Sequence, residues 1–281
     1  MSAKQTILSI IKKLEFILCK TIDKFTEYPL RPIDNYLSRE PIRQKIPAIV
    51  YQTWVDNSFG KSHLKELDKF RSDNQDLSFI LYDEIAMNEY MFNNWKEHQI
   101  YNIYILAKYG PMKVDIFRYC IIFDKGGYYF DINKGVNGSI TELHDRDSTG
   151  LISFEGNNNL ILPNERVISK VKHPDRLILQ WGFGFEKNHI FMENIIKNIC
   201  DSYSLFKGKV FENPKNAILT FTGPGMFTKT FFETLENNNL INISQAGIDF
   251  NGKGVINLKG SHVRYYGQSS YANYSNNAIV D

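Results

Sequence analysis

A strand, a helix and a second strand follow one another directly in residues 46–82. The run at 46–54, IPAIVYQTW, has the apolar character of a buried strand. A helical pattern follows at 61–73, and a second apolar run, LSFILY, occupies 77–82. Because two strands joined by a helix usually lie parallel in one sheet, this order predicts an α/β fold with a mainly parallel central sheet flanked by helices.

The rest of the chain continues this alternation. We expect further strands at 128–132, 150–155 and 177–185, helices at 84–109, between Pro111 and Gly126, at 189–206 and at 225–236, and a tail of short strands and loop from 255. With 281 residues, 43% of them hydrophobic, the chain can bury one sizeable core. We therefore predict one domain at 41–281.

Residues 1–40 form a separate unit ahead of this domain. Their apolar side chains recur every three or four residues, among lysines, at Ile7, Ile11, Leu14, Leu18, Ile22 and Phe25. This spacing predicts an amphipathic helix, and the prolines behind it predict a linker. Lys12, Lys13 and Glu15 interrupt the apolar stretch, so the pattern is not that of a signal peptide.

The apolar stripe of this leader has three alternative partners. It would lie on an anionic membrane surface, on its own domain or on a second copy of the chain. No segment has the apolar length that a bilayer-spanning helix needs. We expect a cytoplasmic protein, with peripheral contact at the inner face of the membrane through the N-terminal helix as an option.

Charge and cysteine content exclude two classes of function. The chain has 33 basic and 31 acidic residues, so no electrostatic attraction favours nucleic acid as a partner. Cys19, Cys120 and Cys200 are three in number and far apart, which argues against a disulfide framework and against a zinc cluster. We interpret them as reduced, structural cysteines.

The densest cluster of polar residues lies around a glycine pair at 126–127. Asp115 and Arg118 are three residues apart on the preceding helix, so both project from one face. The glycines end that helix, and the next strand delivers Asp131 and Asn133 at its carboxyl end. Residues two apart on an extended chain point the same way, which would give a hard divalent cation two oxygen ligands. The carboxyl edge of an open α/β sheet is the usual ligand crevice.

This arrangement suits a nucleotide-sugar donor. A nucleoside diphosphate leaves with added negative charge, and a divalent cation bridging its phosphates stabilises that charge. Asp115 and Arg118 would hold sugar and ribose hydroxyls by directional hydrogen bonds. The alternative is purely structural: a surface ion pair between Asp115 and Arg118, and an ordinary strand ending at Asp131 and Asn133.

The same residues resemble the DXD-motif sugar transferases, glycosyltransferase family 32. That family includes fungal outer-chain mannosyltransferases and bacterial capsular or surface-polysaccharide transferases. Its pattern is similar to Asp115-x-x-Arg118 followed by Gly-Gly-x-Tyr-x-Asp-x-Asn at 126–133. The similarity extends to 46–54, to 180–191, to the Thr-Gly-Pro-Gly segment at 222–228 and to His262. It covers about residues 46–267.

The resemblance implies a GT-A type fold, a nucleotide-sugar donor and transfer that retains the anomeric configuration. It implies that Trp54 stacks near the donor base, that Tyr129 contacts the donor, and that Asp115 and Arg118 bind its ribose or sugar. It also implies that Asp131, Asp115 and Arg118 are the catalytic residues. Asp131 would bind the donor as well. Together with Asn133 and His262, Asp131 would hold Mn²⁺ or Mg²⁺. On the acceptor side we place Glu155, Trp181, Gly223 and Gly225.

One position departs from the family pattern. Asn133 stands where the family usually has a second aspartate, so one ligand charge is missing. We expect a hexosyltransferase that uses a UDP- or GDP-sugar and a surface polysaccharide, lipid-linked oligosaccharide or glycoprotein glycan as acceptor. The alternatives are a glycan- or nucleotide-sugar-binding protein that has lost turnover, and a toxin-like glucosyltransferase that modifies a protein.

Overall fold

The computed structural model describes residues 27–156, 171–237, 242–255 and 275–281. The helices are α1 (Lys61–Ser72), α2 (Glu84–Trp95), α3 (Gln99–Leu106), α4 (Gly110–Lys125), α5 (Ile190–Ser202), α6 (Pro214–Phe221) and α7 (Pro224–Asn237). The strands are β1 (Arg31–Pro32), β2 (Ile49–Thr53), β3 (Ser58–Phe59), β4 (Ser78–Tyr82), β5 (Gly127–Phe130), β6 (Gly135–Val136), β7 (Gly150–Phe154), β8 (Gly182–Phe185), β9 (Val210–Phe211), β10 (Ile243–Ile248), β11 (Gly254–Val255) and β12 (Asn277–Ala278). Most of the predicted N-terminal helix lies outside the described residues.

A six-stranded sheet organises the domain, in the order β10-β7-β8-β5-β2-β4. Five of these strands run parallel, and β8 runs antiparallel between β7 and β5. The predicted α/β fold with a mainly parallel sheet is therefore confirmed. The carboxyl ends of the five parallel strands meet the amino end of β8 at one edge of the sheet.

Both faces of the sheet are buried. In β5, Tyr129 joins the core that α2 to α7 build, whereas Tyr128 and Phe130 join the opposite core with Phe70 of α1. Adjacent side chains of a strand point to opposite faces, so each face of β5 receives its own aromatic residues. Gly184 of β8 lies opposite Tyr128, and a Cβ there would meet the ring at 2.4 Å, which explains a glycine at this crowded position.

One predicted helix is two helices. The pattern at 84–109 predicted a continuous helix, but α2 ends at Trp95 and α3 begins at Gln99. The imidazole of His98 accepts a hydrogen bond from the backbone N–H of Ile100 (3.1 Å), which caps the start of α3. Trp95 is buried against His98 and Phe123, and this packing holds the chain at the bend.

Two other predictions differ from the structure in extent. The strand predicted at 177–185 is only Gly182–Phe185, because Ile178 pairs by a single bridge with Phe154 and gives its N–H to the Thr228 hydroxyl (2.9 Å). The helix predicted at 189–206 ends at Ser202 and continues as one 3₁₀ turn. Helix α6 and strand β10 were not predicted.

The predicted linker packs onto the domain. β1 pairs with β3, and Ile33 gives its N–H to the carbonyl of Asn57 (2.9 Å) and is buried. Tyr36 and Phe79 exchange two backbone hydrogen bonds of 2.9 and 2.7 Å. The boundary at residue 40 stays a prediction, but residues 31–38 contact the domain closely. Among the described helices, none is both long and apolar enough to cross a membrane.

Candidate functional site

Polar side chains follow the strands at the common edge of the sheet. Trp54 comes after β2, Asp131 after β5, Glu155 after β7 and Asp249 after β10. The antiparallel β8 brings Trp181 to the same edge from its amino end. The sequence prediction that Asp131 lies at the carboxyl edge of the sheet is thus correct, whereas its setting in a ligand crevice of the α/β type stays a prediction.

The glycine pair fixes how β5 enters the sheet. Gly126 has φ +65° and Gly127 φ +107°, values that L side chains rarely adopt. A Cβ on Gly126 would lie 2.6 Å from the backbone nitrogen of Lys187, and one on Gly127 would lie 2.6 Å from the carbonyl oxygen of Ile49. Only glycine therefore allows α4 to pass directly into β5, which sets Asp115 and Asp131 at one site.

The segment 131–134 is a turn and not the extended strand end that we expected. The N–H of Lys134 donates to the carbonyl of Asp131 (2.8 Å), and the N–H of Asp131 donates to the carbonyl of Trp181 (2.8 Å). The argument that Asp131 and Asn133 point the same way on an extended chain is therefore wrong. Both residues are nevertheless partly exposed.

Arg118 joins the two aspartates. Its Nη2 lies 3.4 Å from Oδ1 of Asp115 and 3.3 Å from Oδ1 of Asp131, and its Nη1 donates to the carbonyl of Gln180 (2.9 Å). The guanidinium carbon lies 4.4 Å from the centre of the Tyr129 ring. Burial alone would lower the pKa of Arg118. Tyr129 and the two carboxylates raise this pKa by more than burial lowers it, so the side chain stays charged.

Tyr129 lies entirely inside the protein. Its ring faces Arg118, and its hydroxyl shares a hydrogen bond with the hydroxyl of Thr53 (2.9 Å). Burial raises the pKa of Tyr129, so the phenol stays neutral. The expected contact between Tyr129 and the donor stays a prediction, whereas its contact with Arg118 is direct.

The carboxylate of Asp115 is buried and fully engaged by protein groups. Gln180 donates through Nε2 to Oδ1 (3.0 Å), and Thr222 donates through its hydroxyl to Oδ2 (3.0 Å). Burial raises the pKa of Asp115 to about 6, although Arg118 and the two hydrogen bonds act in the opposite direction. With both oxygens occupied, Asp115 is better suited to support the site than to hold a sugar hydroxyl.

A second group of side chains borders the turn at 131–134. The Nζ of Lys134 lies 5.8 Å from the centre of the Trp181 ring, which is partly exposed. Burial lowers the pKa of Lys134, and Asp131 and Glu155 oppose that shift. Burial raises the pKa of Glu155, and the nearby carboxylate of Asp249 adds to this rise. Two of the predicted acceptor residues, Trp181 and Glu155, thus lie beside the predicted metal-binding turn.

The chain after β10 adopts an unusual backbone. Asp249, Phe250 and Asn251 have φ of 44°, 52° and 57°, a left-handed conformation that costs on the order of 1 kcal/mol per residue. The Ser153 hydroxyl accepts the Phe250 N–H (2.7 Å), and the Phe250 ring packs against Trp181 and Phe130. This turn therefore supports the aromatic rings of Trp181 and Phe130, which lie beside Asp131.

The remaining predicted residues have mixed outcomes. Trp54 is partly buried and packs against a small cluster that includes Ile132, next to Asp131. Gly223, in the turn between α6 and α7, and Gly225, in the first turn of α7, are both buried, so an acceptor contact there has little room. His262 lies outside the described residues.

A divalent cation would find two oxygen ligands here. Asp131 and Asn133 carry the hard oxygens that Mn²⁺ and Mg²⁺ accept, and a donor diphosphate and water would supply the rest. Over the stretches that the structure describes, no group of three or more His, Cys, Asp or Glu could hold a metal ion. The residues fit a metal that is shared with the donor and not a closed protein cage.

Thr222 and Lys134 were the site residues that sequence reasoning missed. Thr222 was noted only as part of a loop, and it lies 107 positions from Asp115, so no local pattern links the two. Lys134 follows directly on the Asp-x-Asn segment, and its position alone could have identified it.

Residues 60–150 match the family model described as "Glycosyltransferase sugar-binding region containing DXD motif". The chain is 22% identical over 213 residues to an initiation-specific alpha-1,6-mannosyltransferase of Schizosaccharomyces pombe, covering 73% of this chain and 52% of that protein. It is 25% identical over 222 residues to the protein of that name from Candida albicans, covering 68% and 54%.

Two further similarities are weaker. Inositol phosphoceramide mannosyltransferase 3 of S. pombe is 24% identical over 155 residues, which is 55% of this chain and 37% of that protein. The solved structure named PaToxG Glycosyltransferase has a TM-score of 0.48 and 14% identity, with 84% of this chain and 82% of that chain covered. The chain spans about half the length of the first two relatives.

Proposed function

We propose that this chain, of which residues 60–150 match the family model for a glycosyltransferase sugar-binding region containing a DXD motif, transfers a hexosyl group from a UDP- or GDP-sugar to a glycan, with retention of configuration on a GT-A type fold. One observation carries the proposal. Asp131 is partly exposed at the carboxyl edge of the sheet while Arg118 anchors it from the buried side. A ligand site needs this combination of an accessible oxygen and a fixed orientation.

The described residues divide into contact and support roles. Asp131 and Asn133 would hold Mn²⁺ or Mg²⁺, with His262 as a further ligand. When bound, the cation would stabilise the negative charge of the departing diphosphate. Arg118 orients Asp131 from the buried side and adds positive charge near the diphosphate, and Asp115 keeps Arg118 in place. Trp54 would border the donor base.

The acceptor would lie against Trp181 and Glu155. An aromatic face packs on the apolar face of a sugar ring, and a carboxylate accepts hydrogen bonds from sugar hydroxyls. We propose a surface polysaccharide or lipid-linked oligosaccharide as the acceptor. The curated relatives are named mannosyltransferases, which makes GDP-mannose the first donor to test.

The test is donor-dependent stabilisation and turnover. We expect one of UDP-glucose, UDP-galactose, UDP-N-acetylglucosamine and GDP-mannose, with Mn²⁺, to raise the unfolding temperature and to release its nucleotide slowly. Asp131→Asn should abolish nucleotide release while the protein stays folded, because Asp115 still faces the buried Arg118. Asp147→Asn is the matched control, because Asp147 is exposed ahead of β7, at the opposite edge of the sheet. Equal turnover in the Asp131→Asn protein would exclude this site.

A second candidate function follows from Asn133. A neutral ligand in place of a carboxylate weakens cation binding, so the chain would bind nucleotide sugars without turning them over. Donor binding without nucleotide release, under conditions where Mn²⁺ is saturating, favours this binder. A toxin-like protein glucosyltransferase remains the third candidate, and nucleotide release that depends on an added protein acceptor would favour it.

A further inference from the structure

The turn between α6 and α7 reaches the underside of the site. Thr222 follows the last residue of α6 and is completely buried. Its hydroxyl donates to Oδ2 of Asp115 (3.0 Å), although the two residues are 107 positions apart. A buried carboxylate needs such donors, and this one comes from outside residues 60–150, the part of the chain that matches the family model.

The backbone of Thr222 is held as firmly as its side chain. Its carbonyl accepts hydrogen bonds from the Tyr119 hydroxyl (2.7 Å) and from Nε2 of Gln180 (3.2 Å). Gln180 also donates to Asp115, and it contacts the Tyr119 hydroxyl. Thr222 is therefore fixed against α4 and against the segment before β8, so its hydroxyl has one direction in which to donate.

Arg118 transmits the position of Asp115 to Asp131. The same nitrogen, Nη2, lies 3.4 Å from Asp115 and 3.3 Å from Asp131, so it is shared between two carboxylates. The guanidinium is planar and is also held by the carbonyl of Gln180 (2.9 Å). A rotation of the Asp115 carboxylate would change this sharing and would move the anchor of Asp131.

We propose that Thr222 is a positioning residue, which fixes the carboxylate of Asp115 and thereby, through Arg118, sets the orientation of Asp131 toward the donor. The inference rests on the proposed function only for the identity of the ligand. Thr222 itself touches neither donor nor metal. Its effect on the reaction is indirect.

Three variants separate positioning from plain stability. Thr222→Val keeps the shape and removes the hydroxyl, and Thr222→Ser restores the hydroxyl. Thr230→Val is the matched control, because Thr230 is a completely buried threonine of α7 whose hydroxyl accepts a hydrogen bond from Asn198 (2.9 Å). The Thr230→Val substitution also replaces a buried hydroxyl by a methyl group, but it does so on α7 and away from Asp115.

The first readout is the affinity for nucleotide sugar in the presence of Mn²⁺, measured by calorimetry beside the thermal unfolding temperature. We expect Thr222→Val to weaken binding at least tenfold, and Thr222→Ser to lie within twofold of the parent. Thr230→Val should lower the unfolding temperature and leave affinity within twofold. Parent-like affinity in Thr222→Val would overturn the proposal, as would an equal loss of affinity in Thr230→Val.

The second readout needs no ligand. Crystal structures of the parent and of Thr222→Val should show the Asp115 carboxylate rotated and the Asp131 side chain displaced in the variant. An unmoved Asp131 would overturn the inference even if donor binding falls. If the parent binds no nucleotide sugar while Asp131 moves in the variant, the positioning role stands and the proposed function fails.

Discussion

At the scale of residues, Arg118 decides how the site is built. A buried arginine is tolerated only when its charge and its donors are satisfied, and here two aspartates, a carbonyl and an aromatic ring do so. Because Asp115 uses its oxygens on protein groups, Asp131 is the carboxylate left to face a ligand. The charge that a cation would meet at the turn therefore depends on Asp131 and on residue 133.

Asn133→Asp should strengthen cation binding about tenfold, since a second carboxylate replaces a neutral oxygen ligand. The measurement is a Mn²⁺ titration in the presence of nucleoside diphosphate. Asn137→Asp is the control, because it adds the same charge at an exposed position four residues later. If both variants bind Mn²⁺ alike, residue 133 is not a ligand and the effect is only one of overall charge.

At the scale of elements, two helices begin in the same way. His98 at the start of α3 and His189 at the start of α5 each accept a backbone hydrogen bond through Nδ1, from Ile100 (3.1 Å) and Phe191 (3.2 Å). His98 is exposed and His189 is buried. Burial lowers the pKa of His189 to about 4, so its ring is neutral in the folded protein at neutral pH.

This difference predicts a pH dependence of stability. Below pH about 6.5 the unfolded chain binds a proton at His189 that the folded chain does not bind until pH about 4. The His189 contribution should therefore destabilise the fold by about 3 kcal/mol as the pH falls from 6.5 to 4. Asp115 acts in the opposite direction over part of this range, because burial raises its pKa to about 6 and its carboxyl is protonated first in the folded protein.

Urea unfolding across this pH range measures the dependence. His189→Asn keeps a capping oxygen and should lose less stability than the parent as the pH falls, whereas His98→Asn should have the pH dependence of the parent. A parent-like slope in His189→Asn would assign the pH dependence to other groups.

The hydrophobic periodicity predicted most helices and strands correctly. It failed where one side chain or one hydrogen bond determines where an element ends. The apolar runs of β2, β4 and β5 and the helix that ends at Gly126 needed no tertiary information. The break between α2 and α3 depends on a histidine acting as a cap, which hydrophobic spacing does not show. The turn at 131–134 likewise depends on a backbone hydrogen bond from Asp131 to Trp181, which comes from a distant segment.

At the scale of the whole molecule, part of the predicted leader at 1–40 belongs with the domain. Residues 31–38 are tied to the sheet by backbone hydrogen bonds, so a deletion that removed them would damage the domain. We propose that the amphipathic pattern at 1–26 provides peripheral membrane contact. The domain itself would then act at the cytoplasmic surface of that membrane.

Deletion of residues 1–26 should abolish co-sedimentation with anionic liposomes and leave the unfolding temperature and donor affinity unchanged. Leu14→Asp combined with Leu18→Asp in the full chain should reproduce the deletion, because it places charge in the apolar stripe. Equal sedimentation of all three proteins would exclude the membrane role. A change from dimer to monomer on deletion would assign the stripe to a second copy.

The site was predictable in its centre and not in its surroundings. Asp115, Arg118 and Asp131 are close in sequence, and one helix, one glycine pair and one strand bring them together. The hydrogen-bond donors to Asp115 come from positions 180 and 222, and their arrival depends on how α6 and α7 pack. No spacing within 60–150 carries that information.

The antiparallel strand β8 has a consequence for inheritance. It brings residues 180–181 to the edge where the parallel strands end, so the candidate site, whose Asp115 and Asp131 lie within the matched residues 60–150, is completed by chain that lies beyond them. A recombination event that exchanged 60–150 alone between two such genes would transplant Asp115 and Asp131 without the groups that hold them. Functional chimaeras should therefore have their crossover points before β1 and after β11, and the whole of that span should be inherited as one block.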